Sequence, residues 1–430
     1  GLGGPSAQQA NYTATVGIGA GPATADNVRN AMVDKLRPWG AVLTGRVDEA
    51  MRTVPRHLFL PDVPLERAYG LDPVVTHRDS DGVAVSSASA PGTVAGMLEQ
   101  LDVRPGHRVL EIGTGTGYNA ALLAYLVGPA GSVTTIEYDE AVASSARDAL
   151  RGLGEVVTVV HGDGMLGVPE RLVFDRIVVT AGAWDIPAAW WEQLAEDGRL
   201  VVPLRILGLT RTVVFERDGT ILRSRSVVED GFIPMRGLGA VKEQNIPVGA
   251  GPDLVVRVDD HRPVGAAALG RSLDHPAAVR WTGVAVPWGW TEHLDFWLAG
   301  LDGFCRVLIS RTAVDQGRLM DPKGPWGSMG VVEGGTLAYL TMRPLSTGDA
   351  EMPSYEVGAC GYGPDGAELA ARLAGRVRDW ERDGGQRVRL WIEAHPAGGR
   401  LPDASDVLLA VDKRYSRVVV RVAEREAATV

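Results

Sequence analysis

Residues 109–117 read Val-Leu-Glu-Ile-Gly-Thr-Gly-Thr-Gly, an apolar strand with one acidic residue that runs into a loop with glycine at every second position. An apolar stretch predicted to be helical, 118–127, follows at once. The loop backbone can then approach a ligand closely, and the helix N-terminus beyond it offers N–H groups. This is a nucleotide-type pocket in an α/β sheet. A dinucleotide fingerprint would place its third glycine where Tyr118 stands, and a P-loop would end in Gly-Lys-Ser/Thr, which is absent.

The next segments extend the pattern. A second strand is predicted at 132–136 and ends in Glu137, whose carboxylate can accept both hydroxyls of a ribose. A third, 156–160, ends in His161-Gly162-Asp163-Gly164, and a fourth is predicted at 176–180. Strands alternate with helical stretches, as a doubly wound parallel sheet requires. Glu111, the glycines, Glu137 and Asp163 at successive strand ends resemble class I S-adenosylmethionine-dependent methyltransferases. A dehydrogenase or another Rossmann-like domain is the alternative. Acidic residues suit a cofactor that carries adenosine and a sulfonium cation but no phosphate.

Flanking motifs narrow the resemblance. Val54-Pro55-Arg56-His57-Leu58-Phe59, then Ser87-Ala88-Ser89-Ala90-Pro91, Gly162-Asp163-Gly164, Phe174-Asp175-Arg176-Ile177, Gly198-Arg199-Leu200-Val201-Val202-Pro203 and Phe232-Ile233-Pro234-Met235 stand in the order found in protein-L-isoaspartate O-methyltransferases. The resemblance covers about residues 26–240. It implies a Rossmann-like class I fold with a doubly wound, mostly parallel sheet, and S-adenosyl-L-methionine as cofactor, with S-adenosyl-L-homocysteine as product. Carried over residue by residue, it implies cofactor contacts from Ala90, Pro91, Glu111, Gly113, Thr114, Gly115, Gly117, Glu137, Tyr138, Asp163 and Gly164. Substrate contacts fall to Ser87, Ser89, Arg56 and Thr180.

The implied reaction is methyl transfer to a peptide carboxylate. Such a carboxylate, with a reference pKa near ~4, is ionised at neutral pH and needs positioning, not a general base. Ser89, in the Ser-x-Pro position, is the candidate catalytic hydroxyl, and a helix N-cap is its other reading. Arg56 serves either substrate or structure, and His57 is expected to pack. The resemblance has departures: Ser86-Ser87-Ala88 precedes the serine where Thr-Ile is usual, and Gly92-Thr93-Val94 follows it.

Beyond residue 240 the chain continues for nearly as long again. Strand-like runs at 253–258, 279–286, 306–309, 336–342, 387–392 and 417–422, and a helix at 367–380 with Leu369, Leu373, Ala374, Val377 and Trp380 on one face, predict an α+β domain over 245–430. Its aromatic residues, Trp281, Trp288, Trp290, Phe296, Trp297, Phe304 and Trp326, read as core more readily than as a recognition surface. A tail of this kind resembles the subgroup found beside biosynthetic genes for lanthipeptides and graspetide-like peptides. That subgroup implies esterification of one aspartate in a ribosomally made modified peptide, leading to succinimide and possible isoaspartate. General repair of isoaspartyl proteins is the alternative.

Composition excludes several classes. The net charge of −10 argues against nucleic acid as a partner. Lysine occurs only at positions 35, 242, 323 and 413. Cys305 and Cys360 show no metal spacing, so no metal is expected, and core residues or a disulfide both fit them. No apolar run is long enough to cross a bilayer, and a cytoplasmic protein is expected. Residues 1–25 read as a flexible segment, and the oligomeric state is not legible.

Overall fold

The computed structural model describes residues 24–424 except 81, 171, 242, 250, 260–263, 288–291, 325–326, 346–353 and 400–403. The expected flexible segment, 1–25, lies almost wholly outside the described residues, as do Trp288, Trp290 and Trp326.

The strands, in chain order, are β1 (Val74–Arg78), β2 (Ala84–Ala88), β3 (Arg108–Ile112), β4 (Ser132–Glu137), β5 (Val157–His161), β6 (Phe174–Val179), β7 (Leu194–Ile206), β8 (Leu209–Asp218), β9 (Ile221–Glu229), β10 (Gln244–Pro247), β11 (Leu254–Val258), β12 (Ala278–Pro287), β13 (Phe304–Ile309), β14 (Ser328–Glu333), β15 (Thr336–Pro344), β16 (Ser354–Tyr362), β17 (Val388–Pro396), β18 (Val407–Asp412) and β19 (Ser416–Glu424). The helices are α1 (Ala25–Leu36), α2 (Gly45–Thr53), α3 (Leu65–Ala68), α4 (Pro91–Leu101), α5 (Tyr118–Val127), α6 (Glu140–Leu150), α7 (Ala188–Gln193), α8 (Ala266–Gly270), α9 (Glu292–Ala299), α10 (Arg311–Asp315) and α11 (Gly366–Arg382). Thr24, Thr44 and Asp139 accept backbone N–H groups in the first turns of α1, α2 and α6, which fixes where each helix starts.

A ten-stranded sheet runs in the order β18-β19-β17-β9-β8-β7-β6-β3-β4-β5. From β5 to β7 the strands are parallel, and every pairing beyond β7 is antiparallel. The sheet is thus mixed, and its parallel character is confined to the five strands joined by helical crossovers. Alternate side chains go to opposite faces. Val109 packs with α1, α2, α4 and α5, whereas Leu110 and Ile112 join a second core that reaches α7, α9 and α11.

A second sheet, β10-β11-β13-β14-β15-β16-β12, is antiparallel throughout. The amphipathic pattern expected at 367–380 forms α11, with Leu369, Leu373, Ala374, Val377 and Trp380 buried. Phe296 and Phe304 are core residues, Trp281 and Trp297 are half-buried, and Cys305 and Cys360 are buried without a disulfide. The sheets do not divide at residue 245. β17, β19 and β18 complete the edge of the first sheet, so the segment 245–430 contributes to both. No helix among the described residues is long and apolar enough to cross a membrane.

Candidate active site

The glycine loop follows β3. Gly113, Gly115 and Gly117 have φ of +101°, +54° and +87°, a region that favours residues without Cβ. A Cβ on Gly113 would lie 2.5 Å from Thr180 Oγ1, so Thr180 can sit directly beneath the loop. Its hydroxyl donates to the carbonyls of Ile112 (3.0 Å) and Gly113 (2.6 Å). Thr180, expected on the substrate side, therefore braces the loop through both contacts.

Glu111 is fully buried under the same loop. Its oxygens accept from Asn119 Nδ2 at 2.7 Å and Thr135 Oγ1 at 2.6 Å, and Thr135 also bonds Thr114 Oγ1 at 2.7 Å. Burial outweighs these donors and pushes the carboxyl up to about 7. Neither Asn119 nor Thr135 stands out in the sequence, because a hydroxyl in an apolar strand reads as tolerated polarity until its partner is known.

Two further carboxylates stand at strand ends, as expected. Glu137 accepts from Gly115 N–H at 3.0 Å and Asp139 N–H at 3.1 Å. Asp163 accepts from Met165 N–H at 2.9 Å and Leu238 N–H at 2.7 Å. The second contact brings residues 236–238 across this end of the sheet. Arg236 lies 3.3 Å from Asp139 and 4.0 Å from Glu137, and stacks 5.4 Å from the centre of the exposed Tyr138 ring. A Cβ on Gly237 would lie 2.1 Å from Asp163 Oδ2. The Gly164 carbonyl accepts from Trp190 Nε1 at 2.8 Å.

The hairpin β1–β2 lays the serine segment against the loop. Ser87 O and Ser86 Oγ come within 3.7 and 3.8 Å of where a Gly115 Cβ would be. Ser89 is half-buried, and its hydroxyl has no hydrogen-bond partner among the described residues. It is not the cap of α4: Ala90 takes that position and Pro91 the first turn.

Arg56 corrects an expectation. It is fully buried, and it donates to the carbonyls of Ala68 (2.8 Å), Ser89 (2.8 Å) and Ala88 (3.4 Å) while lying over the Tyr118 ring at 5.1 Å. Burial lowers its pKa. This cation ties the serine segment to the glycine-loop helix and is not an exposed substrate ligand. His57 packs against Tyr69, with Nδ1 2.8 Å from the phenol oxygen.

The loop after Thr180 is held from several sides. Gly182 and Ala183 bridge to Pro234 and Leu204. Asp185 accepts from Tyr415 N–H at 2.7 Å and Ser416 Oγ at 2.6 Å, and the buried ammonium of Lys413 donates to the carbonyls of Trp184 and Arg205. Lys413, one of four lysines, is pushed down to about 8 by burial. The turn between β18 and β19 thus fastens the loop beside the glycine pocket, and nothing in the local sequence announces it. Among the described residues no group of His, Cys, Asp and Glu could hold a metal ion.

Comparison with known proteins agrees with this arrangement over half of the chain. Residues 27–238 match the family described as protein-L-isoaspartate(D-aspartate) O-methyltransferase. The protein-L-isoaspartate O-methyltransferase of Methanopyrus kandleri is 42% identical over 213 residues, which is 49% of this chain and 91% of that one. The enzyme of the same name from Roseiflexus castenholzii is 39% identical over 222 residues, 51% of this chain and 97% of the other. Among solved structures, a protein-L-isoaspartate O-methyltransferase aligns with TM-score 0.48 and 23% identity, over 85% of this chain and 96% of that chain. Another, from Plasmodium falciparum and in complex with S-adenosyl-L-homocysteine, aligns with TM-score 0.43 and 18% identity over 48% and 98%. With its glycine loop, strand-end carboxylates and serine segment in the same order, the chain belongs to the protein-L-isoaspartate(D-aspartate) O-methyltransferase family and is an S-adenosylmethionine-dependent carboxyl O-methyltransferase.

Proposed function

We propose that the protein esterifies the carboxylate of isoaspartyl residues in proteins or peptides. The observation that carries this reading is that Ser86 Oγ and Ser87 O stand beside Gly115, so the stretch leading to the half-buried Ser89 runs along the cofactor loop. The residues fit S-adenosylmethionine: a loop that Cβ atoms would obstruct, flanked by carboxylates, suits an adenosine carrying a cation and lacking phosphate. When bound, the cofactor supplies an electrophilic methyl group on sulfur.

The chain's own residues then do the positioning. Ser89 holds the acceptor carboxylate by donating its hydroxyl, and Arg56 holds Ser89 through its carbonyl. Glu137, through the ribose hydroxyls, and Asp163 would hold the adenosine part of the cofactor. Thr180 keeps the loop in register. The acceptor arrives already ionised, so no residue has to remove a proton. The rate comes from fixing acceptor and methyl group in line. A cytoplasmic setting belongs to the same reading.

The relatives cited above carry the isoaspartate name, which supports this reading over an aspartate in a dedicated modified peptide. The test is mass spectrometry of an isoaspartyl peptide and its aspartyl twin after incubation with enzyme and S-adenosylmethionine. A gain of one methyl group on the isoaspartyl peptide alone is expected. Silence on both, with cofactor binding measured, would overturn it in favour of a dedicated peptide substrate.

A further inference from the structure

β9 and β17 are neighbours in the first sheet but meet at only two positions, Arg223 with Glu393 and Leu222 with Ala394. By contrast β17 pairs with β19 over nine positions, from Val388 with Glu424 to Pro396 with Ser416. Past the two contacts the strands part. Ile392 N–H donates to Ser224 Oγ at 2.8 Å where a continued ladder would offer a carbonyl. The parting leaves a cleft of about 630 Å³, within the size range of ligand pockets.

The cleft is rich in arginine. Arg223 and Arg225 come from β9, Arg389 from β17 and Arg421 from β19, around the half-buried Trp391. Its two acidic residues, Glu393 and Asp406, are both engaged by Arg421, at 2.8 and 2.7 Å. Arg389 stacks over Trp391 at 5.6 Å and has no carboxylate partner among the described residues. Arg225 pairs with Glu216, and Arg223 with Asp218 and, at 3.2 Å, with the buried Glu393, but the arginine side chains are 70% and 53% exposed. Exposed pairs of this kind contribute little to stability, so an incoming carboxylate can displace Glu216 and Asp218 from these arginines.

We propose that this cleft is a second substrate-binding site, for an extended acidic segment of the polypeptide being methylated. The proposal rests on the reading of the substrate as a peptide or protein. An extended chain can add to the parted strand edges through its backbone, as in β-augmentation, while its carboxylates meet the arginines. Reach is adequate. Ser226 of the cleft lies 3.5 Å from Gln100 Nε2, near the end of α4, the helix that starts two residues after Ser89. At 1.5 Å per residue α4 places the cleft roughly 14 Å from the acceptor site. About five extended residues span that distance. Arg223 and Arg225 lie within the family match and Arg389, Trp391 and Arg421 beyond it, so the cleft exists only where the added half meets the matched one.

The test compares a short neutral isoaspartyl peptide with versions extended by a run of aspartate and glutamate beginning five or more residues to either side. In 50 mM salt one extended version should show a KM at least tenfold lower than the short peptide. The double variant Arg225→Ala, Arg389→Ala should remove that advantage while leaving KM and kcat on the short peptide unchanged. Equal KM values for short and extended peptides in the unaltered enzyme would overturn the proposal, as would a variant that raises both alike. Binding of a fluorescent acidic peptide without isoaspartate, followed by anisotropy, separates this outcome from failure of the methylation reading. Saturable binding lost in the double variant supports the site whatever the acceptor, and no binding by the unaltered enzyme sinks it.

Discussion

The family-matched half and the added half are built on different logic. From β3 to β6 each strand of the sheet is followed by a crossover to a parallel strand, and the functional groups sit at the ends of these strands. In the added half the strands are antiparallel, and hairpins such as β14–β15 and β18–β19 alternate with pairings of distant segments, β12 with β16 and β17 with β9, so chemistry there is placed partly by long-range contact. The difference teaches that the added half is not an appendage. Its last three strands finish the catalytic sheet, and its β18–β19 turn fastens the loop beside the glycine pocket.

The comparison is broken most severely if the matched half stands alone. Removing residues 388–424 takes away Ile392, Val418, Val419 and Val420, all fully buried, and exposes the apolar surfaces they cover. At about 1.5–3 kcal/mol for each side chain, the loss is comparable to the whole stability of a domain. Aggregation, or a Tm lower by more than about 10 °C, is expected in thermal unfolding. A truncated protein that melts and binds cofactor normally would make the added half a true module.

The two halves should also answer pH in opposite senses. Glu111 titrates higher in the folded state than its ordinary 4.5, so its contribution is full below that value and is lost as pH rises through about 7. Lys413 titrates lower when folded, so the cost of burying its charge is present below about 8 and is relieved as pH climbs toward the ordinary value of 10.5. Each limb is on the order of 3 kcal/mol. Unfolding followed from pH 5 to 10 should lose its falling limb in Glu111→Gln and its rising limb in Lys413→Met. A variant whose curve keeps the limb assigned to it would remove that residue from the account.

Within the matched half, the roles of two residues separate next. Glu137→Ala should weaken cofactor binding about 10- to 100-fold, the cost of losing a charge-assisted hydrogen-bond acceptor. Ser89→Ala should lower kcat by a similar factor with the cofactor Kd changed less than about threefold. Calorimetry beside steady-state kinetics reads both, and an equal loss of cofactor affinity in the two variants would refute the division of labour.

The smallest effect probes the bridge between halves. Asp185→Asn keeps the size of the side chain but weakens its bonds to Tyr415 and Ser416, by about 1 kcal/mol. The urea midpoint should fall accordingly and kcat drop a few-fold, with cofactor affinity unmoved. An unchanged midpoint would mean that the clamp is idle.

What could be seen in advance follows the same divide. The glycine loop, Glu137 and Asp163 were legible because spacing along the chain alone places them at adjacent strand ends. The helix at 366–382 was legible from its period. Arg56 was not: an arginine after Val-Pro looks solvated, and only the Tyr118 ring and the carbonyls of Ala68, Ala88 and Ser89, contributed by separate segments, explain its burial. The contribution of residues 245–430 to both sheets was hidden for a related reason. Sheet membership depends on pairing, and β17 looks the same in sequence whichever sheet it joins.

The bond from Ser416 to Asp185 spans 231 positions. At about 5–20 residues per second, a ribosome needs roughly ten to fifty seconds to make that stretch. For that time the glycine pocket and serine segment have been synthesised while the loop after Thr180 waits for its anchor. The nascent chain therefore carries the glycine pocket and the serine segment for that interval before the turn that fastens the loop at Asp185 emerges.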